Sequence, residues 1–335
     1  MSDHSLHDIY SRVQPNFKQV FVVPRIRFDF PNTDYLYLLY APFINSKADV
    51  RLHSTSALGH WKFFGSQLLG QKPILHYHWL EFQDYKSLFG MIYKIKMLWF
   101  YKLMGGKIVW SIHNLKPHDG KWLKSHLRLH RWMAKISDVL LVHSKSQIKQ
   151  VSELYSVSSK KIDVLPHPNF PAMLIDRSEA IEKLNSTFDL KLDPHKIIVG
   201  SFGAVSEYKN FLNSISLLKS IDFDGNYLII GYVKKGQSEL DKKLKKLSNE
   251  LSWFHYKPGF VSEDLLPVIM NSFHFSLFNF KEISTSGGVE IARSYKNKII
   301  APRKGILSDY ESEKDVQLFS SQDELRSLLK ALMDK

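Results

Sequence analysis

The chain has 335 residues, enough for two ordinary domains with ample apolar core, and it has no cysteine, which excludes disulfide frameworks and thiolate chemistry. Residues 1–19 are polar with no hydrophobic signal core, and no charge-free apolar run is long enough to span a bilayer, so a cytoplasmic or peripherally attached protein is expected. The net charge of +13 is lopsided: residues 1–170 hold 23 Lys and Arg against 11 Asp and Glu, whereas residues 171–335 hold 23 against 22, so the first half implies an anionic partner such as lipid headgroups, phosphates or nucleic acid.

Residues 17–24 (FKQVFVVP) predict a first buried strand. The sequence Arg25-Ile-Arg-Phe-Asp-Phe follows where most dinucleotide folds carry a Gly-rich loop, so no phosphate-cradling turn is expected there. A helix over 34–44 ending near Pro42, a short strand over 49–53 and a helix over 57–69 come next. Residues 73–79 read as a strand with His76 and His78 at alternate positions. No third ligand follows at a metal-binding spacing, so these are read as histidines at a strand end near a substrate cleft, with His78 on the acceptor side.

Residues 84–104 form the most unusual predicted helix. Leu88, Met91, Ile92, Ile95, Leu98 and Trp99 make one apolar face, and Phe89, Tyr93, Lys96 and Phe100 make a second, aromatic and basic stripe. The second stripe either meets a bilayer surface or is buried between neighbours. Residues 107–113 predict a strand that ends in a loop rich in donors and acceptors, with His113, His118 and Asp119 as candidates, Asp119 also as a helix cap. A basic amphipathic helix over 121–136 has no recognisable nucleic-acid module around it, so nucleic acid is not expected as a partner. A strand over 138–143 with Ser144 as helix cap, a closing strand over 161–168 and a mixed linker over 169–194 complete this half.

The second half opens with a strand over 195–203, then a glycine turn at Gly203 and Lys209 at a helix start, a possible phosphate site. A strand over 226–233, a charged helix over 234–250, a strand over 253–260 and an N-cap at Ser262 follow. The strand over 273–280 runs into Glu282, a turn of Ser284-Thr-Ser-Gly-Gly288, and then Glu290, with seven residues between the two glutamates. A helix starting at Ser286, Gly287 and Gly288 offers free N–H groups and a positive dipole end to a phosphate. Each glutamate could accept a pair of sugar hydroxyls, or Glu282 could cap a turn while Glu290 is merely a solvated helix residue. A buried strand over 298–301 and a final helix over 321–333 finish the chain.

The segment from Glu282 to Glu290 resembles the two-glutamate motif of GT-B glycosyltransferases, most closely those of glycosyltransferase family 4. The resemblance is strongest over 195–305, fair over 107–168 and weak in the first hundred residues. It implies an α/β chain of two doubly wound Rossmann-like domains facing an interdomain cleft: 1–170 for a membrane-facing acceptor domain, 171–320 for the nucleotide-sugar domain, and 321–335 for a helix packing back toward the first domain. It places Glu282 and His113 by the transferred sugar and Glu290 on the ribose. Lys209 matches the family's diphosphate-binding lysine, next to Gly203. The family's arginine position is Ala204 here, and Arg303 or Lys304 is the candidate to compensate. The implied function is transfer from a UDP- or GDP-linked sugar to a saccharide acceptor, polyprenyl-linked, in bacterial polysaccharide synthesis. Retention of configuration is implied, with neither metal nor cofactor, at the inner face of the cytoplasmic membrane. The alternatives are a sugar-nucleotide epimerase of the same fold or a non-catalytic basic protein that binds lipid or nucleic acid.

Overall fold

The computed structural model describes residues 5–45, 50–56, 59–80, 85–115, 122–283 and 285–333, and side chains 85–88 are not described. The chain divides into two compact units, Met1–Pro168 and Asn169–Lys335.

The first unit runs α1 (Leu6–Val13), β1 (Gln19–Val23), α2 (Tyr35–Ile44), β2 (Arg51–Ser54), α3 (His60–Leu68), β3 (Ile74–Tyr77), α4 (Tyr85–Leu103), β4 (Lys107–Ser111), α5 (Leu123–Ile136), β5 (Val139–Val142), α6 (Ser146–Tyr155) and β6 (Ile162–Val164). Its six strands form one parallel sheet in the order β2-β1-β3-β4-β5-β6. Strands such as β3 are buried at every residue because helices cover both faces, which is why they read as continuous apolar runs. The order reverses between β1 and β3, so loops leaving those two strands diverge and open a crevice at their carboxyl ends.

The second unit runs α7 (Arg177–Phe188), β7 (Ile197–Phe202), α8 (Phe211–Ser220), β8 (Gly225–Gly231), α9 (Ser238–Glu250), β9 (Phe254–Pro258), α10 (Leu265–Ser272), β10 (Phe275–Leu277), α11 (Gly287–Ser294), β11 (Lys298–Pro302), β12 (Val316–Phe319) and α12 (Gln322–Met333). Its parallel sheet has the order β12-β11-β10-β7-β8-β9, the dinucleotide-fold order, with the switch point between β7 and β10.

Several expectations are corrected. Pro42 lies inside α2, which continues to Ile44. The helix after β5 starts at Ser146 with Lys145 before it, so Ser144 is not its N-cap; instead the Gln147 side chain reaches back to accept from the His143 and Ser144 N–H groups. Ser262 is likewise not an N-cap, because α10 starts at Leu265. The linker over 169–194 contains α7, capped by Asp176 and packed by Ala180, Ile181 and Leu184. Leu325, Leu329 and Leu332 of α12 are buried in the core of the second unit.

Candidate active site

In the second unit the loops leaving β7 and β10 converge at the switch point. Gly203 follows β7 with φ +98°, a conformation that L side chains rarely adopt. A Cβ on Gly231 would lie 2.0 Å from the Gly203 carbonyl oxygen, so the end of β8 presses directly on this turn and fixes it. Beyond the turn, the Lys281 N–H donates to the Tyr208 carbonyl at 2.8 Å, and Tyr208 stacks on Phe280, which ties the β10 loop to the β7 loop.

Lys209 lies between these loops and is 6% exposed. Its Nζ donates to the Phe202 carbonyl at 3.0 Å, and no carboxylate pairs with it among the described residues. Burial alone pulls its pKa from 10.5 down to about 7. A narrow cavity beside it is lined by Phe202, Phe211, Phe278, Asn279 and Phe280. A Cβ on Gly288 would sit 3.4 Å from the same Phe202 carbonyl oxygen, so the start of α11 and the lysine border one spot. The preceding Ser286 makes no side-chain hydrogen bond to the helix start. A buried ammonium without a counter-ion, beside an uncapped helix N-terminus, is a site for an anion.

Glu290 is 5% exposed and is not a solvated helix residue. Arg293 Nη1 donates to its Oε2 at 2.6 Å, and the Tyr310 hydroxyl donates to its Oε1 at 2.6 Å. Arg293 continues to Glu313 at 2.5 Å and lies over the Tyr310 ring at 3.8 Å. The carboxylate is therefore held from both sides, and each oxygen keeps a second lone-pair direction for a hydroxyl. Glu282 is exposed, on the loop tied to Tyr208. Ser284 lies outside the described residues. The Arg303 guanidinium pairs with Glu311 and approaches the Ser320 hydroxyl, and the Lys304 ammonium donates to the Lys281 carbonyl at 2.9 Å. No described contact brings Arg303 to Lys209.

In the first unit, strand ends β3, β4 and β5 bring His78, His113 and His143 into line. His78 Nδ1 and His113 Nε2 are 3.2 Å apart, as are His113 Nδ1 and His143 Nε2. Burial holds His113 and His78 well below the usual imidazole pKa, helped by the neighbouring rings. Trp79 stacks on His113 at 4.3 Å. Among the described residues no group of three or more His, Asp or Glu is arranged to hold a metal, since the rings follow one another instead of converging. His118 and Asp119 lie outside the described residues. Sequence reading singled out His78 and His113 but missed His143 and Trp79; a histidine directly after an apolar strand run was the available signal for His143.

No family model matches the chain, and no curated protein matches it. Solved structures do match. HepE of Anabaena, crystallised with UDP and glucose, superposes with a TM-score of 0.68 at 12% identity over 96% of this chain and 90% of that one. The fold is that of GT-B glycosyltransferases. A sucrose-phosphate synthase from Thermosynechococcus elongatus gives a TM-score of 0.68 at 12% identity, covering 95% of this chain and 90% of that one. A UDP-forming α,α-trehalose-phosphate synthase from Burkholderia vietnamiensis gives 0.63 at 10% identity, covering 94% and 89%. At these identities the likeness is one of fold, so the chemistry of this GT-B chain rests on its own residues.

Proposed function

We propose that the chain is a glycosyltransferase that moves a sugar from a nucleoside-diphosphate sugar to a saccharide acceptor. The observation that carries this reading is Lys209, a buried ammonium without a carboxylate partner at the switch point, beside the open start of α11. It supports a diphosphate at Lys209 and Gly288, the ribose diol on Glu290, and the transferred sugar toward Glu282. The HepE structures were solved with UDP, with UDP and glucose, and with UDP-glucose, ligands of the proposed class. In the reaction the bond from the anomeric carbon to the diphosphate oxygen breaks and an acceptor oxygen forms the new bond. With retention, the acceptor proton passes to the departing phosphate oxygen on the same face. Lys209 and the α11 dipole stabilise the charge that grows on the leaving group, and no metal or cofactor is called for.

The finer setting, a lipid-linked acceptor in bacterial polysaccharide synthesis at the inner face of the cytoplasmic membrane, is supported by the surface of α3 and α4. Met91, Leu98 and Tyr101 of α4 are buried, but Phe89 is 75%, Trp99 48% and Leu103 65% exposed, beside Trp61 of α3 at 60%. Phe64 and Phe100 meet edge to face and join the two helices into one surface. Of the second stripe Phe89, Lys96 and Phe100 are exposed and Tyr93 is half-buried, while Ile92 and Trp99 of the apolar face are exposed as well, with Lys62 and Lys96 among the rings. Aromatic rings and lysines together suit the headgroup level of an anionic bilayer, in the half of the chain that carries the excess positive charge.

A thermal-shift panel of UDP, GDP and their sugars tests the donor site, because a ligand of the native state raises the melting temperature. A rise with one base class that is lost in Glu290→Ala supports the reading. No rise with any nucleotide at millimolar concentration overturns it.

A further inference from the structure

Glu290 is the fourth residue of α11, and groups from two separate segments fix its carboxylate. Arg293, one turn further along α11, donates to Oε2 at 2.6 Å. Tyr310 closes the short helical turn Gly305–Tyr310 beyond β11, and its hydroxyl donates to Oε1 at 2.6 Å. Both donors are fixed in turn. Arg293 Nε and Nη2 donate to the two carboxylate oxygens of Glu313 at 3.1 and 2.5 Å, a fork that a lysine could not reproduce. The same guanidinium lies 3.8 Å over the Tyr310 ring, and buried Ile306 and Leu307 hold the turn that carries that ring. Burial and then the Glu290 charge push the Tyr310 phenol above its usual pKa, so it stays a donor throughout the neutral range. The Glu290 backbone is held as well. Ser294 Oγ donates to the Glu290 carbonyl at 2.9 Å and accepts from the Phe170 N–H at 3.0 Å.

This arrangement bears on how the carboxylate meets a ligand. A carboxylate offers about four lone-pair directions. Arg293 and Tyr310 take one on each oxygen and leave one free on each. The free pair shares one plane and suits hydroxyls on adjacent carbons. A glutamate alone on a helix surface samples several rotamers, and a ligand that needs one of them must order it, which weakens binding by roughly tenfold. At Glu290 that ordering is complete before a ligand arrives. Arg293, Tyr310 and Glu313 are only partly buried, so the cluster borders solvent.

We infer that Tyr310 and Arg293 are positioning residues for the ribose of the donor: they set the plane of the Glu290 carboxylate so that its two free lone pairs meet the 2′- and 3′-hydroxyls together. The inference rests on the reading that places a nucleotide ribose on Glu290. It brings the Gly305–Tyr310 turn, which lies beyond the two-glutamate segment, into the donor site. Neither residue needs to touch the ligand, because each acts through the carboxylate.

Calorimetric titration of the full chain with UDP, GDP and their 2′,3′-dideoxy forms tests it on the wild type, Tyr310→Phe and Arg293→Met. The dideoxy forms have no diol for Glu290, so their affinity is independent of how the carboxylate is held. The wild type is expected to prefer the ribose form of one nucleotide by about tenfold. That preference is expected to fall by roughly threefold or more in each variant, as the loss of one of two hydrogen bonds to a charged group implies. In Tyr310→Phe the dideoxy affinity should stay within about twofold of wild type, since one oxygen is lost and the ring under Arg293 is kept. A purely structural role would instead weaken both forms alike and leave the preference intact. An undiminished preference in either variant, or parallel weakening of both forms in Tyr310→Phe, overturns the inference alone. A wild type that binds a nucleotide without preferring its ribose form removes the ribose from Glu290 and the inference with it. A wild type that binds no nucleotide removes the donor site as a whole.

Discussion

Lys209→Met is the substitution that probes the phosphate site most sharply. Burial lowers the Lys209 ammonium from 10.5 to about 7, so in the free protein it is about nine-tenths deprotonated near pH 8. A diphosphate, fully ionised near pH 8, binds the charged form. Binding of UDP or GDP then takes up nearly one proton, and apparent affinity weakens roughly tenfold per pH unit between about pH 8 and pH 10. Calorimetry near pH 8 in two buffers of different ionisation heat reads that uptake directly. In Lys209→Met the uptake vanishes, and affinity falls on the order of a hundredfold, about 3 kcal/mol for a desolvated charge pair.

Stability moves the other way. The folded pKa is below the unfolded one, so between about pH 7 and pH 10.5 the unfolded chain binds more protons and wild-type stability rises with pH. Below that window the buried charge costs up to about 5 kcal/mol, the equivalent of the whole shift at 1.36 kcal/mol per unit. Ligand-free Lys209→Met should therefore melt at or above the wild-type temperature near pH 6.5. Nucleotide binding without proton uptake, at equal affinity in both proteins, would refute the assignment of Lys209 to the phosphates.

Three further outcomes are expected. Glu290→Gln removes the charge that faces Arg293 and should cost roughly 1–3 kcal/mol in denaturant unfolding; it should also erase any preference for UDP over its 2′,3′-dideoxy analogue, and a retained preference would remove Glu290 from the ribose. Ala204→Arg supplies the cation that the resemblance calls for beside Gly203 and should tighten UDP or GDP binding about tenfold, the worth of one charge-assisted hydrogen bond, whereas unchanged affinity in calorimetry would separate this loop from the phosphates. Replacing Phe89 and Trp99 by serine should abolish co-sedimentation with phosphatidylglycerol vesicles while leaving the melting temperature within about 2 °C, because both rings are largely exposed; undiminished sedimentation would exclude α4 as the membrane face.

The alternation of strands and helices was legible because each core strand is an unbroken apolar run between turn residues, as in Asp138-Val-Leu-Leu-Val142. Elements whose apolar content is thin escaped. Helix α1 shows only Leu6, Ile9 and Tyr10 inward, although Ser5 and Asp8 form a complete capping box that could have announced it. Strand β12 is four residues long with one exposed position, too short for a period to register. The two glutamates and Lys209 were visible through spacing. The partners of Glu290 were only partly so: Arg293 is one helical turn away, whereas Tyr310 and Glu313 arrive from beyond β11. The histidine chain was not readable in advance. Its members lie on separate strands, and only the parallel order β3-β4-β5 sets them side by side. That contact between distant segments also sets the surroundings of His113, whose two nitrogens each lie beside a neighbouring ring.

Release of nucleoside diphosphate from a panel of UDP- and GDP-sugars, incubated with the protein and a bacterial lipid extract, tests glycosyl transfer most directly. The account predicts release from one nucleotide class, dependent on the lipid extract, with the sugar recovered in the lipid fraction and the activity lost in Lys209→Met. Absence of release from every donor, from protein that shows no thermal shift with the same nucleotides, would contradict it.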